Sequence, residues 1–230
     1  GQVLLEGSVD PANRPEIVLE AAYVAATKHA RLARATHARL VERAPLPAEP
    51  WTLATRERFV DLLRCGHDAI GVIEALDHTG LFERYLPEWV QVRSRPQRNA
   101  YHRFTVDRHL LETAANAAAL TDQVDRPDLL VIGALLHDIA KGRPGDHTEV
   151  GMELIAESGP RTGFADAATA KAQPTRKLTF TPRNTMPRMM AMMPDGTAAP
   201  ALRWWLPGRT CATSSRAATA MTALPAATSW

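Results

Sequence analysis

Apolar residues recur along the first two thirds of the chain at intervals of three and four, the spacing that places them on one face of a helix. This spacing predicts a helical stretch from Pro11 to about Val41. Three prolines, at positions 45, 47 and 50, then mark a break, because proline cannot continue a helix. The short apolar segment at residues 3–5 predicts a strand or a frayed end.

Helical spacing resumes after the prolines. We expect Thr55 to cap a helix that runs to about Cys65. A second helix begins near His67 and stops at Gly80, because glycine is favoured just past a helix end. The stretch 81–89 is rich in aromatic and apolar residues, so it predicts a short helical turn with side chains anchored in the core.

Two longer helices are predicted over about residues 105–121 and 127–142. Pro127 suits the first turn of the second helix, and Gly142 suits the residue just past its end. Residues 129–136 are apolar throughout, which is typical of a helix enclosed by other helices. The pattern as a whole predicts an all-α fold.

The candidate chemistry lies at the end of this apolar segment, where His137 and Asp138 are adjacent. Burying an imidazole and a carboxylate is unfavourable unless each is hydrogen-bonded, paired or bound to a metal. A rise of about 1.5 Å per residue places His109 roughly 18 Å before the turn between the two helices and His137 roughly 15 Å after it. If the helices pack antiparallel, His109 therefore lies level with His137 and Asp138. Two imidazoles and a carboxylate suit Mn²⁺, Fe²⁺ or Zn²⁺. A histidine and a carboxylate that satisfy each other without a metal are the alternative.

Composition narrows the class of protein. The chain has 230 residues, 45% of them hydrophobic, which is enough for one or two domains with a real core. No apolar run approaches the 18 residues of a membrane span, and we expect no membrane partner. Cys65 and Cys211 form no CxxC pair, so a reducing, cytoplasmic location is expected. A basic helix face is predicted to be solvated rather than to bind nucleic acid; it comprises Lys28, Arg31, Arg34 and Arg39.

The last 66 residues differ in character from the rest. Residues 165–230 contain no Val, Ile, Glu or His, and Asp166 and Asp195 are their only acids. Without apolar periodicity this stretch lacks the burial that offsets the entropy of ordering. We expect a disordered or irregular tail, explained by an altered reading frame or a truncated gene. A natural basic tail that carries Trp204 and Trp205 as an interaction segment is the competing hypothesis.

Three sequence blocks occur in order: YHRFTVDRH at 101–109, HDIAKG at 137–142 and GDH at 145–147. Together they resemble the HD superfamily of metal-dependent phosphohydrolases, and more narrowly the bifunctional PII uridylyltransferase/uridylyl-removing enzyme family. The resemblance covers roughly residues 1–164. It implies a helical linker region (1–92) that follows a missing nucleotidyltransferase domain, then a partial, truncated HD-domain bundle (93–164), then the tail. Because the first residue is Gly1, a piece of a longer protein is expected.

The same resemblance implies a reaction and its residues. The substrate is the uridylylated form of the PII signalling protein, from which a UMP group on a tyrosine is hydrolysed. His109, His137 and Asp138 would hold a divalent metal, with Mn²⁺ or Mg²⁺ expected first. The implied catalytic residues are Lys141, Asp138 and His147. Lys141, together with the metal, would offset charge on the phosphoryl oxygens. His147 would have a role in the metal or phosphate site, with simple helix capping as the alternative.

One part of the family pattern is not found. HD sites use a further Asp from a later helix, and nothing after Phe164 matches it; neither Asp166 nor Asp195 is predicted to replace it. We therefore expect impaired activity. Two other readings stay open: an HD hydrolase of free nucleotides, and a non-catalytic fragment that only binds a partner.

Overall fold

Helices form where the apolar spacing recurs, and they make up most of the computed structural model of the chain, which describes residues 1–96, 104–144 and 147–164. The α-helices are α1 (Ile17–Thr27), α2 (Arg34–Arg43), α3 (Leu53–Arg64), α4 (His67–His78), α5 (Val106–Ala118), α6 (Pro127–Leu136) and α7 (His147–Thr162). Short 3₁₀ helices lie between them, at Pro11–Asn13, Pro87–Gln91, Thr121–Gln123 and Ile139–Gly142. Strands β1 (Gln2–Val3) and β2 (Arg31–Leu32) pair in parallel. The predicted all-α class is confirmed; the predicted tail, 165–230, lies outside the described residues.

The prediction of a helical stretch from Pro11 to Val41 was wrong between α1 and α2, where the chain forms a turn and strand β2. Helix α1 ends with His29 in the left-handed region, at a φ of 47°. The His29 N–H donates to the Ala26 carbonyl at 3.1 Å, and the Ala30 N–H donates to the Ala25 carbonyl at 2.8 Å. This pair of bonds is a Schellman ending, which usually needs glycine and here uses histidine. The chain then forms β2 before it enters α2.

The start of α3 also differs from its prediction. The N-cap is Thr52, whose hydroxyl accepts a hydrogen bond from the Thr55 N–H at 3.0 Å. Thr55 instead lies inside the first turn, and both threonine hydroxyls donate to the Glu16 carboxylate, at 3.1 and 3.3 Å. Helix α4 begins and ends as predicted, with Gly80 at a φ of 74° two residues beyond it.

A single cluster of buried apolar residues extends from α1 to the end of α7. Its centre is aromatic, with Trp51 packed against Phe59, Tyr85 and Phe164 at ring-centroid distances of 5.1, 6.0 and 6.4 Å. Trp89 is 1% exposed and packs edge-on against the Phe82 ring. The predicted anchoring role of residues 81–89 is therefore confirmed.

Polar contacts tie the end of α7 to the helices that precede residue 93. Arg161 donates to both carboxylate oxygens of Glu88 at 2.9 Å and to the Tyr85 carbonyl at 2.9 Å. Arg56 donates to the Gly163 carbonyl at 2.5 Å. The buried cluster thus crosses the predicted boundary between residues 92 and 93, which stays a prediction about domain organisation. None of the helices in the described part of the chain has both the length and the apolar character of a membrane span.

The core at the α5–α6 contact is expected to dominate stability. Leu135 is fully buried in α6, so Leu135→Ala should lower the free energy of unfolding by about 2–5 kcal/mol through lost burial and a residual cavity. Chemical denaturation of the purified chain measures this. Leu46→Ala is the matched control, because Leu46 is 70% exposed, and its effect should stay within about 0.5 kcal/mol. Equal losses in the two variants would contradict the assigned core.

Candidate metal centre

Helices α5 and α6 pack against each other as an antiparallel pair. His109 lies in the first turn of α5, and His137 directly follows the last residue of α6. The short connection between the two helices brings the start of one beside the end of the other. The two imidazoles are buried, each with a side chain only 3% exposed, and their rings lie edge to face at 5.1 Å. The predicted convergence of His109 and His137 is therefore confirmed.

Three potential ligand atoms meet at this point. His109 Nε2 lies 3.2 Å from His137 Nε2, and Asp138 Oδ2 lies 3.2 Å from His137 Nε2 and 3.6 Å from His109 Nε2. Ligands about 2.1 Å from one ion are expected about 3.0–3.4 Å apart, whether the coordination is octahedral or tetrahedral. Within the described residues these three side chains form a group able to hold a metal ion.

The tautomer of His137 fits the same role. Its Nδ1 lies 2.8 Å from the Ala134 carbonyl oxygen, which only accepts, so Nδ1 carries the proton. In the neutral ring the Nε2 lone pair then faces Asp138 Oδ2, another acceptor. Two acceptors 3.2 Å apart repel each other unless a proton or a cation lies between them. A backbone carbonyl that orients a ligating imidazole is a common feature of metal sites.

Asp138 is the charged member of the group. Burial alone would raise the pKa of its carboxyl, but the neighbouring His109 and His137 rings and the Lys141 ammonium together hold this pKa well below its usual range. The Lys141 Nζ lies 2.6 Å from Asp138 Oδ2. The carboxylate is therefore ionised at neutral pH, as metal ligation requires.

The backbone breaks at the His-Asp pair. Helix α6 ends at Leu136, not near Gly142 as predicted, and Asp138 leaves the helical region at φ −120° and ψ 18°. A 3₁₀ helix, Ile139–Gly142, follows, and Ile139 and Ala140 are buried at 1% exposure. Because Asp138 is not helical, its carboxylate can face the imidazole of the preceding residue, His137. An apolar pattern that continues through Ile139 and Ala140 could not reveal this break.

Two residues near the centre were not predicted from the sequence. The 3₁₀ helix Pro87–Gln91 packs against the 3₁₀ helix Ile139–Gly142. Between them, the Arg143 Nε donates to Gln91 Oε1 at 2.9 Å. The two residues are 52 positions apart, and neither belongs to a recognisable motif, so the sequence carries no local signal for their pairing.

Of the other residues considered for the metal or phosphate site, the structure describes only the backbone of His147. His147 is the first residue of α7, the helix that packs against the 3₁₀ helix after Asp138. Its role stays a prediction. Asp146, which directly precedes α7, lies outside the described residues, as do Asp166 and Asp195.

Removal of one ligand tests the centre directly. His137→Ala should weaken Mn²⁺ binding by more than about 100-fold, because loss of a direct ligand exceeds the 10- to 100-fold effect typical of outer contacts. Isothermal titration calorimetry and metal analysis by mass spectrometry measure this. His29→Ala is the control, because His29 pairs with Asp68 on the surface, with a side chain 73% exposed. If the two variants bind Mn²⁺ equally well, the assigned ligands are wrong.

The candidate ligands lie in a part of the chain that matches a known protein family. Residues 106–192 match the HD domain family, a range that begins with α5 and continues past residue 164, where the resemblance was expected to stop. The domain boundary placed at that residue stays a prediction. No solved structure matches the chain.

The chain is also similar to several enzymes named bifunctional uridylyltransferase/uridylyl-removing enzyme. It is 48% identical to that of Streptomyces coelicolor over 74% of this chain and 20% of the relative. The enzyme of Mycobacterium tuberculosis is 41% identical over 72% of this chain and 20% of the relative. The enzyme of Corynebacterium glutamicum is 40% identical over 66% of this chain and 22% of the relative. The chain thus spans about a fifth of the length of these relatives. The chain therefore carries an HD domain and is a homologue of proteins named bifunctional uridylyltransferase/uridylyl-removing enzyme.

Proposed function

We propose that this chain is a metal-dependent phosphodiesterase that removes uridylyl groups from the PII signalling protein. The observation that carries the proposal is the convergence of His109, His137 and Asp138 within 4.8 Å of one another. Its occurrence in a homologue of uridylyl-removing enzymes supports the choice of substrate. Transfer in the opposite direction, from UTP to PII, is not assigned to this chain.

The proposed metal is Mn²⁺ or Mg²⁺. Imidazole nitrogens favour Mn²⁺ of these two, because Mg²⁺ prefers a shell of oxygen ligands. When bound, a divalent ion supplies positive charge at the phosphoryl oxygens and lowers the pKa of a water molecule. His109 and His137 are buried, so the group they form excludes solvent on the protein side, where electrostatic attraction is stronger than in water.

The reaction itself is a hydrolysis. A water oxygen forms a bond to phosphorus as the bond between phosphorus and the tyrosine oxygen breaks, which yields UMP and a free tyrosine. The departing phenolate has a conjugate acid of pKa about 10, so it needs only modest help from an acid. We propose that the Lys141 ammonium offsets charge on the phosphoryl oxygens in the transition state. His147 is proposed to act at the same site.

We propose that the activity of this chain is impaired relative to a complete HD site. We identify no residue after Phe164 as the further Asp that the family resemblance implies, although the match to the HD domain continues to residue 192. Loss of even an outer contact at a metal site lowers affinity or activity by 10- to 100-fold, and loss of a direct ligand is expected to do more. The proposed partner is uridylylated PII, encountered in the cytoplasm, with no nucleic acid or membrane involved.

Release of UMP from uridylylated PII tests the proposal. The full chain with Mn²⁺ should release UMP slowly, and His137→Ala should abolish the release because the metal is no longer held. His29→Ala should release UMP at the wild-type rate. Chromatographic quantification of UMP, with the mass of PII as a second readout, provides the measurement.

The other outcomes identify the alternatives. Hydrolysis of small nucleotides without release of UMP from PII would make the chain a different HD hydrolase. Binding of PII without any UMP release would make it a non-catalytic fragment. Equal UMP release by wild type and His137→Ala would reject the proposed centre altogether.

A further inference from the structure

Within the described residues, one oxygen atom of the centre lies close to three side-chain nitrogens. Asp138 Oδ2 faces the Lys141 Nζ at 2.6 Å, His137 Nε2 at 3.2 Å and His109 Nε2 at 3.6 Å. A metal ion held by the two histidines would meet this oxygen, because it lies within 3.6 Å of both of their Nε2 atoms. The ammonium of Lys141 therefore already occupies a position against the atom that the metal needs.

The ion pair between Lys141 and Asp138 is built into the local backbone. The Lys141 N–H donates to the Asp138 carbonyl oxygen at 3.0 Å, which closes the turn between the two residues. Ile139 and Ala140, which lie between them, are buried and hold this turn in place. The Lys141 side chain is 27% exposed and that of Asp138 is 12% exposed, so water screens this pair less than a pair on the open surface.

We propose that Lys141 acts as an internal cation that competes with the divalent ion for Asp138 and so sets the affinity of the centre for metal. The ammonium stabilises the metal-free centre and leaves Asp138 when metal binds, which frees it to meet a phosphoryl group. This inference rests on the proposed metal centre and adds the property that one of its residues opposes metal binding.

Electrostatics favours competition over assistance. Lys141 already neutralises the single carboxylate of the group, so an incoming divalent ion gains less from Asp138 than from an unpaired carboxylate. An ion bonded to Oδ2 would lie less than about 5 Å from the ammonium, the sum of its own bond of about 2.1 Å and the ion-pair distance. Two positive charges at that separation repel each other in a poorly hydrated site. The opposite view is that Lys141 orients Asp138 and thereby helps metal to bind.

Calorimetric titration of the full chain with Mn²⁺ decides between the two views. Lys141→Met should bind Mn²⁺ about 10-fold more tightly than wild type, because the competing charge is gone. The melting temperature of its metal-free form should fall, and the rise in melting temperature on addition of Mn²⁺ should exceed that of wild type. Lys28→Met makes the same change at an exposed lysine and should match wild type in all three measurements.

The other results are equally decisive. Affinity for Mn²⁺ that is unchanged or weaker in Lys141→Met, with wild-type binding intact and abolished by His137→Ala, overturns the competition while the metal centre stands. If wild type itself binds no Mn²⁺, the centre and the competition are both overturned. Should Lys141→Met fail to fold, Lys141→Gln, which also removes the charge but keeps a polar side chain, is judged by the same criterion. Lys141→Arg keeps the charge and should show no gain in affinity.

Discussion

The antiparallel contact between α5 and α6 is the constraint on which the rest of this structure depends. It places two imidazoles and a carboxylate inside a helical core, where each would be costly to bury alone. The surrounding contacts compensate for this burial: a carbonyl orients His137, and Lys141 balances the charge of Asp138. An apolar core could not hold these polar groups unless the helices met at this register. The chemistry and the packing are thus determined by the same pair of helices.

Much of the fold and of the centre could be predicted from local pattern. The apolar run of α6 and the 28-residue separation of His109 and His137 were enough to predict their meeting, because helix rise is constant. Prediction failed where the backbone conformation differs from the one that the residue type usually adopts. His29 adopts a left-handed conformation that usually marks glycine, and α6 ends at Leu136 although apolar residues continue. Helical periodicity reports which face is buried, and it does not report where a helix is interrupted.

Side-chain contacts between segments that are separated by several helices could not be predicted. Arg161 meets Glu88, and Arg143 meets Gln91, across 73 and 52 positions of sequence. Such pairs depend on how whole helices pack, and a single sequence offers no spacing rule that connects them. Family resemblance supplied the chemistry of the metal centre, whereas the role of the earlier helices as its support emerged only from the packed structure. The choice of Thr52 over Thr55 as a cap is of the same kind, since Glu16 binds both hydroxyls.

The 3₁₀ helix Pro87–Gln91 has a consequence for how this protein can be divided. It is anchored by Trp89, packs on the turn that carries Lys141, and holds Arg143 through Gln91. The region before residue 93 therefore packs beside the candidate metal centre. An HD segment separated from the preceding helices would leave Phe164 without Trp51. It would also leave Arg161 and Arg143 without the carboxylate and amide that accept their hydrogen bonds.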